Sequence, residues 1–276
     1  MLACHTSRHR QIEQAIRELP APRVLTELLA LLHSEDAEVS DVAVIVKRDP
    51  GLAGILLNAA NSAAFCGYEG VTRIDGAVAR LGFRETCRIV GNVASGFFAN
   101  RALRLYGIRP HRLRENSLFC ACVMEELAGA CDVSPGTAYT IGLLRSLGKA
   151  VLDGIGGASN PLPEQGLPLL AWEEANWALT SAEVTGWAFE AWGFPRVAVH
   201  AVRSHLHIGP LAPASACLLN VAASLAETHG FGLPGESECW TAEAAQSLGL
   251  GDEHLAYAAQ CALEMVGGGA RIEASR

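Results

Sequence analysis

What most limits the folds open to this chain is the spacing of its apolar residues, which recur three and four positions apart and almost never alternate. In Gly142–Leu152, residues Leu143, Leu144, Leu147, Val151 and Leu152 make one apolar face, with Arg145, Ser146 and Lys149 on or beside the other. Val24, Leu25, Leu28, Leu29 and Leu32 form a second stripe of this kind. Strands would need period-two runs rich in β-branched and aromatic residues, yet aromatics are only 6% and Ala and Leu abound. The spacing predicts an all-α, multi-helix bundle.

Proline, glycine and capping residues cut that pattern into segments. Leu19-Pro20-Ala21-Pro22 stops one segment and starts the next, and Ser40 is a candidate cap with Asp41 in the first turn. Asp49-Pro50 is a cap followed by proline at the first helical position, opening a helix to Ser62. Within it Asn58 and Asn61 read as capping or core hydrogen-bonding residues rather than ligand contacts. After a loop with Gly67 and Gly70, a short helix Ile74–Leu81 is stopped by Gly82. Phe83–Ala99 is apolar on most sides, which suits the centre of a bundle. A basic connector with Arg101, Arg104, Arg109, Arg112 and Arg114 leads to helices expected near 113–130, over Gly142–Leu152, and near 172–179. Ser181–Trp192 follows with Ser181 as its cap, then 195–206, 211–229 and 254–266, with loops at 154–168 and 230–238.

Composition narrows the class. Half of the 276 residues are hydrophobic, 18% are charged and the mean hydropathy is +0.22, so a packed core rather than disorder is expected. The most apolar stretch, Ala214–Ala226, is too short to span a bilayer, and residues 1–8 lack a signal-peptide pattern; a cytoplasmic location is expected. The nine cysteines include no CxxC pair and read as reduced core thiols. Net charge is −8, but nine arginines between Arg73 and Arg114 face only Asp75 and Glu85, whereas 115–270 holds seventeen acids against four bases. The acidic half argues against non-specific nucleic-acid binding by the whole chain.

Several stretches together resemble the HDOD family, the HD-related output domains of bacterial signalling proteins. The matching residues are Leu19-Pro20-x-Pro22, Asp49-Pro50-x-Leu52, Leu56-x-x-x-x-Asn61-Ser62, Ile74-x-x-Ala77-x-x-x-Leu81-Gly82, and Gly142-Leu143-Leu144-x-x-x-Gly148-Lys149. The resemblance implies an N-terminal helical portion (18–100) packed on an HD-like helical portion (101–266), a single unit over 18–266 with 1–17 and 267–276 as peripheral tails. HD phosphohydrolases gather histidines and aspartates around one or two divalent metals that activate water against a phosphate ester. At the corresponding positions this chain carries Asn116, the pair Arg145-Ser146, Ser181 and Ser204-His205. Of the expected ligands only His205 survives.

A lone imidazole does not hold a catalytic metal, and Arg145 puts a permanent positive charge where a dication would sit. His200, His205 and His207 offer no substitute, since His200 and His205 do not share a helix face well. The expectation is therefore a protein with no catalytic residues, metal or cofactor, a regulatory module acting through a protein partner. The alternative is a sensor that takes a nucleotide or other phosphorylated ligand in a pocket of Asn116, Arg145, Ser146, Lys149, Ser181, Ser204 and His205, where Arg145 and Lys149 grip the anion. Against this stands the plainer expectation that Arg145 pairs with an acid and fills the vacated site. A residual metal-dependent phosphohydrolase would need ligands the sequence does not show. Neither a membrane nor a nucleic acid is an expected partner.

Overall fold

In a computed structural model, residues 2–19, 23–31, 38–65, 70–99, 101–131, 133–157, 161–162 and 168–273 are described. Among them every regular element is helical, and one isolated bridge pairs Leu103 with Ile108. Among the described residues no helix is long and apolar enough to cross a membrane. The chain divides into two compact units, Ala21–Gly96 and Met1–Pro20 with Phe97–Arg276. The Pro20 and Pro22 stop, Leu32, Gly67 and most of the 154–168 loop fall outside the described residues.

The smaller unit holds α2 (Arg23–Leu31), α3 (Val39–Val46), α4 (Pro50–Ala60) and most of α5 (Ile74–Ala99). Leu25, Leu28 and Leu29 of α2 meet Val42, Ile45 and Val46 of α3 as the stripes require. The Asp49 carboxylate accepts the Leu52 N–H at 3.1 Å and Pro50 occupies the first turn, as the sequence predicts. At α3 the cap is Glu38 rather than Ser40, with the Asp41 side chain accepting the Glu38 N–H. Asn61 makes two hydrogen bonds with the backbone of Val71, at 2.7 and 2.8 Å, pinning the returning chain. Gly82 breaks the α5 helix with a φ of 74°, a conformation glycine adopts freely. Beyond it only one stripe, including Cys87 and Val90, is buried, while Asn92 and Val93 are exposed, so this segment is not central to a bundle.

The larger unit opens with α1 (Leu2–Glu18). Residues 1–17 were expected to form a peripheral tail, but Ile12 and Ile16 are buried, because α1 lies against the helices of this unit. A helix buried on all sides is α6 (Pro110–Glu126), continuously so from Asn116 to Glu125. Around it pack α7 (Pro135–Leu144), α12 (Ala214–Thr228) and α14 (Asp252–Glu273). A second group, α8 (Leu147–Gly156), α10 (Ser181–Ala191) and α11 (Arg196–Ser204), continues from α7, with α9 (Leu169–Trp177) beside α1. The short α13 (Ala242–Ser247), which the periodicity does not reveal, packs on α12. The α10 cap is Thr180, not Ser181: its hydroxyl accepts the Glu183 N–H and Glu183 reaches back to the Thr180 N–H.

One difference matters most. Gly142–Leu152 is not a single helix, since α7 ends at Leu144 and α8 begins at Leu147, leaving Arg145 and Ser146 at the junction. Thr185 of α10 holds the break: its hydroxyl contacts the Arg145 carbonyl at 3.2 Å and accepts the Gly148 N–H at 2.9 Å.

Candidate functional site

Six of the seven residues singled out from the sequence are brought close together inside the larger unit. Asn116 comes from α6, Arg145 and Ser146 from the α7–α8 junction, Lys149 from the first turn of α8 and Ser181 from the start of α10. His205 caps the end of α11. All six are buried, including the full charged side chains of Arg145 and Lys149. Ser204 is half-buried, and neither it nor Ser146, whose buried hydroxyl finds no hydrogen-bond partner, joins the polar network of the other five.

Two buried cations need two buried anions, and helices and loops outside the singled-out set supply them. Glu236, from the loop after α12, is fully buried and takes both terminal nitrogens of Arg145, Nη2 at 2.8 Å and Nη1 at 3.2 Å. Its Oε1 also faces Lys149 Nζ at 3.1 Å. Glu173, from α9, lies 3.9 Å from Lys149 Nζ, accepts the Tyr106 hydroxyl at 2.9 Å and takes the Ser181 backbone N–H at 2.7 Å. Lys149 also stands over the Tyr106 ring, 5.0 Å from its centre, and 3.5 Å from the Ser181 hydroxyl. The cluster is thus electrically balanced, two cations against two carboxylates.

Arg145 spends its remaining terminal N–H groups on the Asn116 carbonyl oxygen, at 2.7 Å, and on His205 Nε2, at 3.5 Å. His205 Nδ1 lies 2.8 Å from the Val202 carbonyl, which only an N–H can satisfy. That fixes the neutral tautomer with its one lone pair, on Nε2, turned to the guanidinium. Asn116 in turn donates to the Phe231 carbonyl at 2.8 Å, fastening the start of the loop that carries Glu236. Asn220 fastens the other end, donating to the Cys239 carbonyl at 2.8 Å and to the His205 carbonyl at 2.7 Å.

The electrostatics follow from this packing. Burial alone would raise the Glu236 carboxyl, but Arg145 and then Lys149 outweigh it and hold it at about 2. Burial, reinforced by Arg145, pushes the His205 imidazole down to about 3, so it is neutral at physiological pH. For Arg145 burial opposes the charge, and Glu236 more than offsets that and raises the guanidinium further. Burial, then Glu173, raises the Tyr106 phenol well above its ordinary value, so it stays a donor.

This set does not fit a divalent metal. Its one imidazole lone pair is faced by a guanidinium, its carboxylates are saturated by cations and hydrogen bonds, and a dication would stand beside two permanent or near-permanent positive charges. Nor, among the described residues, do any three His, Cys, Asp or Glu side chains gather elsewhere in a metal-holding group.

Glu236, Glu173 and Tyr106 were not singled out from the sequence. The signal for the two acids was indirect: an Arg and a Lys on a strongly apolar helical frame require carboxylates within reach.

Comparison with known proteins agrees with the geometry. A family model for the HDOD domain matches residues 19–208, and the chain belongs to that family. Among solved structures, an HDOD domain protein of unknown function from Geobacter sulfurreducens is similar over 97% of both chains, at 16% identity and a TM-score of 0.69. A candidate signal transduction protein from Marinobacter aquaeolei VT8 matches at 21% identity and a TM-score of 0.66, covering 95% of this chain but 66% of its own. A candidate phosphohydrolase from Shewanella amazonensis SB2B matches at 23% identity and 0.63, over 92% and 94% of the two chains. No curated protein matches the chain. Glu236 lies beyond the matched family region, so the anion that closes the site comes from outside the family pattern.

Proposed function

We propose that this HDOD protein is a non-catalytic signal-transduction module that works through contacts with a protein partner. The observation that carries the reading is the Arg145–Glu236–Lys149 cluster: Arg145 stands where the resemblance expects a metal ligand, Lys149 lies one turn on, and an internal carboxylate neutralises both. Asn116, Ser181 and His205 then serve to hold that plug rather than a substrate or metal. The similarity to the Marinobacter signal transduction candidate points the same way.

The test is hydrolysis of bis(p-nitrophenyl) phosphate and of cyclic dinucleotides by the full chain with added Mn²⁺, Mg²⁺ or Fe²⁺, beside elemental analysis of the protein. Background rates are expected, unchanged in His205→Ala. Turnover in the wild type that His205→Ala removes would overturn the reading.

The sensor alternative has one observation in its favour, since Arg145 and Lys149 already grip a carboxylate together. A phosphorylated ligand would have to displace Glu236 to take that place. A nucleotide that raises the melting temperature of the wild type, and does so more strongly in Glu236→Ala, would select this reading; none doing so in a panel would end it.

A further inference from the structure

Between the end of α5 and the start of α6 the chain makes a tight excursion with two faces of opposite character. Leu103, Leu105, Tyr106 and Ile108 are buried, whereas Arg101, Arg104 and Arg109 are exposed. Leu103 and Ile108 exchange both backbone hydrogen bonds, at 2.9 and 3.0 Å, so Arg109 stands across from Ala102, next to Arg101. Arg101 and Arg104 both act electrostatically on Asp153. That carboxylate is already committed to the Leu105 N–H at 2.7 Å. Among the described residues none of the three arginines has an acid within 4.0 Å, unlike Lys47, Arg48 and Arg203, paired at 2.9, 2.5 and 2.8 Å.

Behind Arg109 lies a cleft of about 270 Å³, lined by Arg109, Arg112, Glu227, Gly232, Gly235 and Ser237 among others. Small-molecule sites start at roughly 300 Å³, so this cleft suits one or two inserted side chains better than a metabolite. Arg112 faces Glu115 at 3.8 Å and packs its guanidinium over Phe231, which leaves Arg109 as the free cation at the mouth. Glu227, the one acid named in this lining, has Arg112 acting on it electrostatically to offset its charge.

We propose that Arg101, Arg104, Arg109 and this cleft form the docking surface for an acidic segment of a protein partner, one carboxylate entering beside Arg109. The proposal rests on the reading of the chain as a protein-contact module and names the chemistry of what it contacts. Fork-shaped guanidinium groups pair well with carboxylates. A single-stranded nucleic acid would look for stacking platforms, but Tyr106, the aromatic of this excursion, is buried and bonded to Glu173.

The test uses the full chain and a fluorescein-labelled ten-residue peptide of alternating Asp and Glu, followed by anisotropy at low and moderate salt. Wild type is expected to bind, more weakly as salt rises. The triple variant R101E/R104E/R109E should lose about tenfold or more, because three exposed ion pairs are removed and reversed. A control with the same charge change at exposed sites elsewhere, R10E/R17E/R73E, should bind as wild type. Equal losses in both triples would reduce the effect to net charge and overturn the proposal, as would unaltered binding in R101E/R104E/R109E. Tighter binding of a ten-residue oligothymidylate than of the peptide would replace the protein partner with a nucleic acid. Failure here leaves the non-catalytic reading standing, since that reading falls only on phosphodiester turnover.

Discussion

Replacing Glu236 by glutamine tests whether charge closure holds the buried cluster together. The substitution keeps the shape but strands two buried cations, one held by contacts of 2.8 and 3.2 Å and the other at 3.1 Å. Removing one partner of a buried pair costs about 3–5 kcal/mol. Lys149 keeps Glu173 nearby, whereas the Arg145 guanidinium holds its charge permanently. Most of the loss therefore belongs to Arg145. Against a total stability of roughly 5–15 kcal/mol, the variant should melt about 6–20 °C lower, taking ~2–4 °C per kcal/mol for a protein of this size. Thermal and urea unfolding followed by circular dichroism at pH 7 would measure it. The decisive arm is the pair Glu236→Leu with Arg145→Met, which removes both charges together and leaves Lys149 balanced by Glu173. It should recover most of the loss, because an apolar replacement of a whole buried pair is often neutral or stabilising. A Glu236→Gln chain within about 1 kcal/mol of wild type, or a double variant no better than the single, would refute the idea that charge closure holds this site together.

Other consequences are equally concrete. Glu236 and His205 both have folded pKa values below their ordinary ones, about 2 against 4.5 and about 3 against 6.5. The unfolded chain thus binds more protons, and stability, full above pH 6.5, should fall as pH drops, first through His205 and then also through Glu236, by about 1.4 kcal/mol per pH unit for each. Urea midpoints from pH 7.5 to 4 would check this, and His205→Gln should flatten the limb above pH 4.5; a flat wild-type profile would contradict the buried placement. Gly148→Ala should be severely destabilising, by about 1–3 kcal/mol or more, because its Cβ would overlap the Ser181 carbonyl and lie 2.9 Å from the Thr185 nitrogen, backbone that cannot turn aside. Circular dichroism melting or loss of soluble protein would report it. Burial pushes the Cys239 thiol up to about 11 and raises Cys120 as well, so both should resist iodoacetamide at pH 8 in the native protein and react once unfolded, as read by mass spectrometry.

How far the sequence led is clearest at the α7–α8 junction. The apolar spacing of Leu143, Leu144, Leu147, Val151 and Leu152 correctly identified a buried helical segment, while the close backbone approaches at Gly142 and Gly148 went unread. It could not reveal the break at Arg145 and Ser146, because the hydroxyl that holds it belongs to Thr185, forty residues away on α10. Periodicity reports which face is buried, not which distant side chain interrupts the ladder. The same limit hid α1 as part of the core, since Ile12 and Ile16 are two apolar residues in a polar stretch whose burial depends on what they meet.

At the site, the residues singled out on the HD frame do come together: Asn116, Lys149 and Ser181 from three helices, and Arg145 and His205 from the ends of two more. What the frame could not disclose is the anion. Glu236 sits in a short loop of turn residues, Pro234, Gly235 and Ser237, where a glutamate ordinarily reads as solvated surface. Charge conservation was nevertheless available as an inference: a buried arginine does not titrate away, so its burial demands a carboxylate somewhere. That demand fixes the existence of the partner but not its address, and the address is set by two amide side chains. Asn116 ties down Phe231 at one end of the loop and Asn220 ties down Cys239 at the other. Asn116 also bonds Arg145 directly, so one amide side chain positions both the cation and the loop that neutralises it. Burying the arginine and placing its counter-charge are therefore one structural problem, solved at a shared residue.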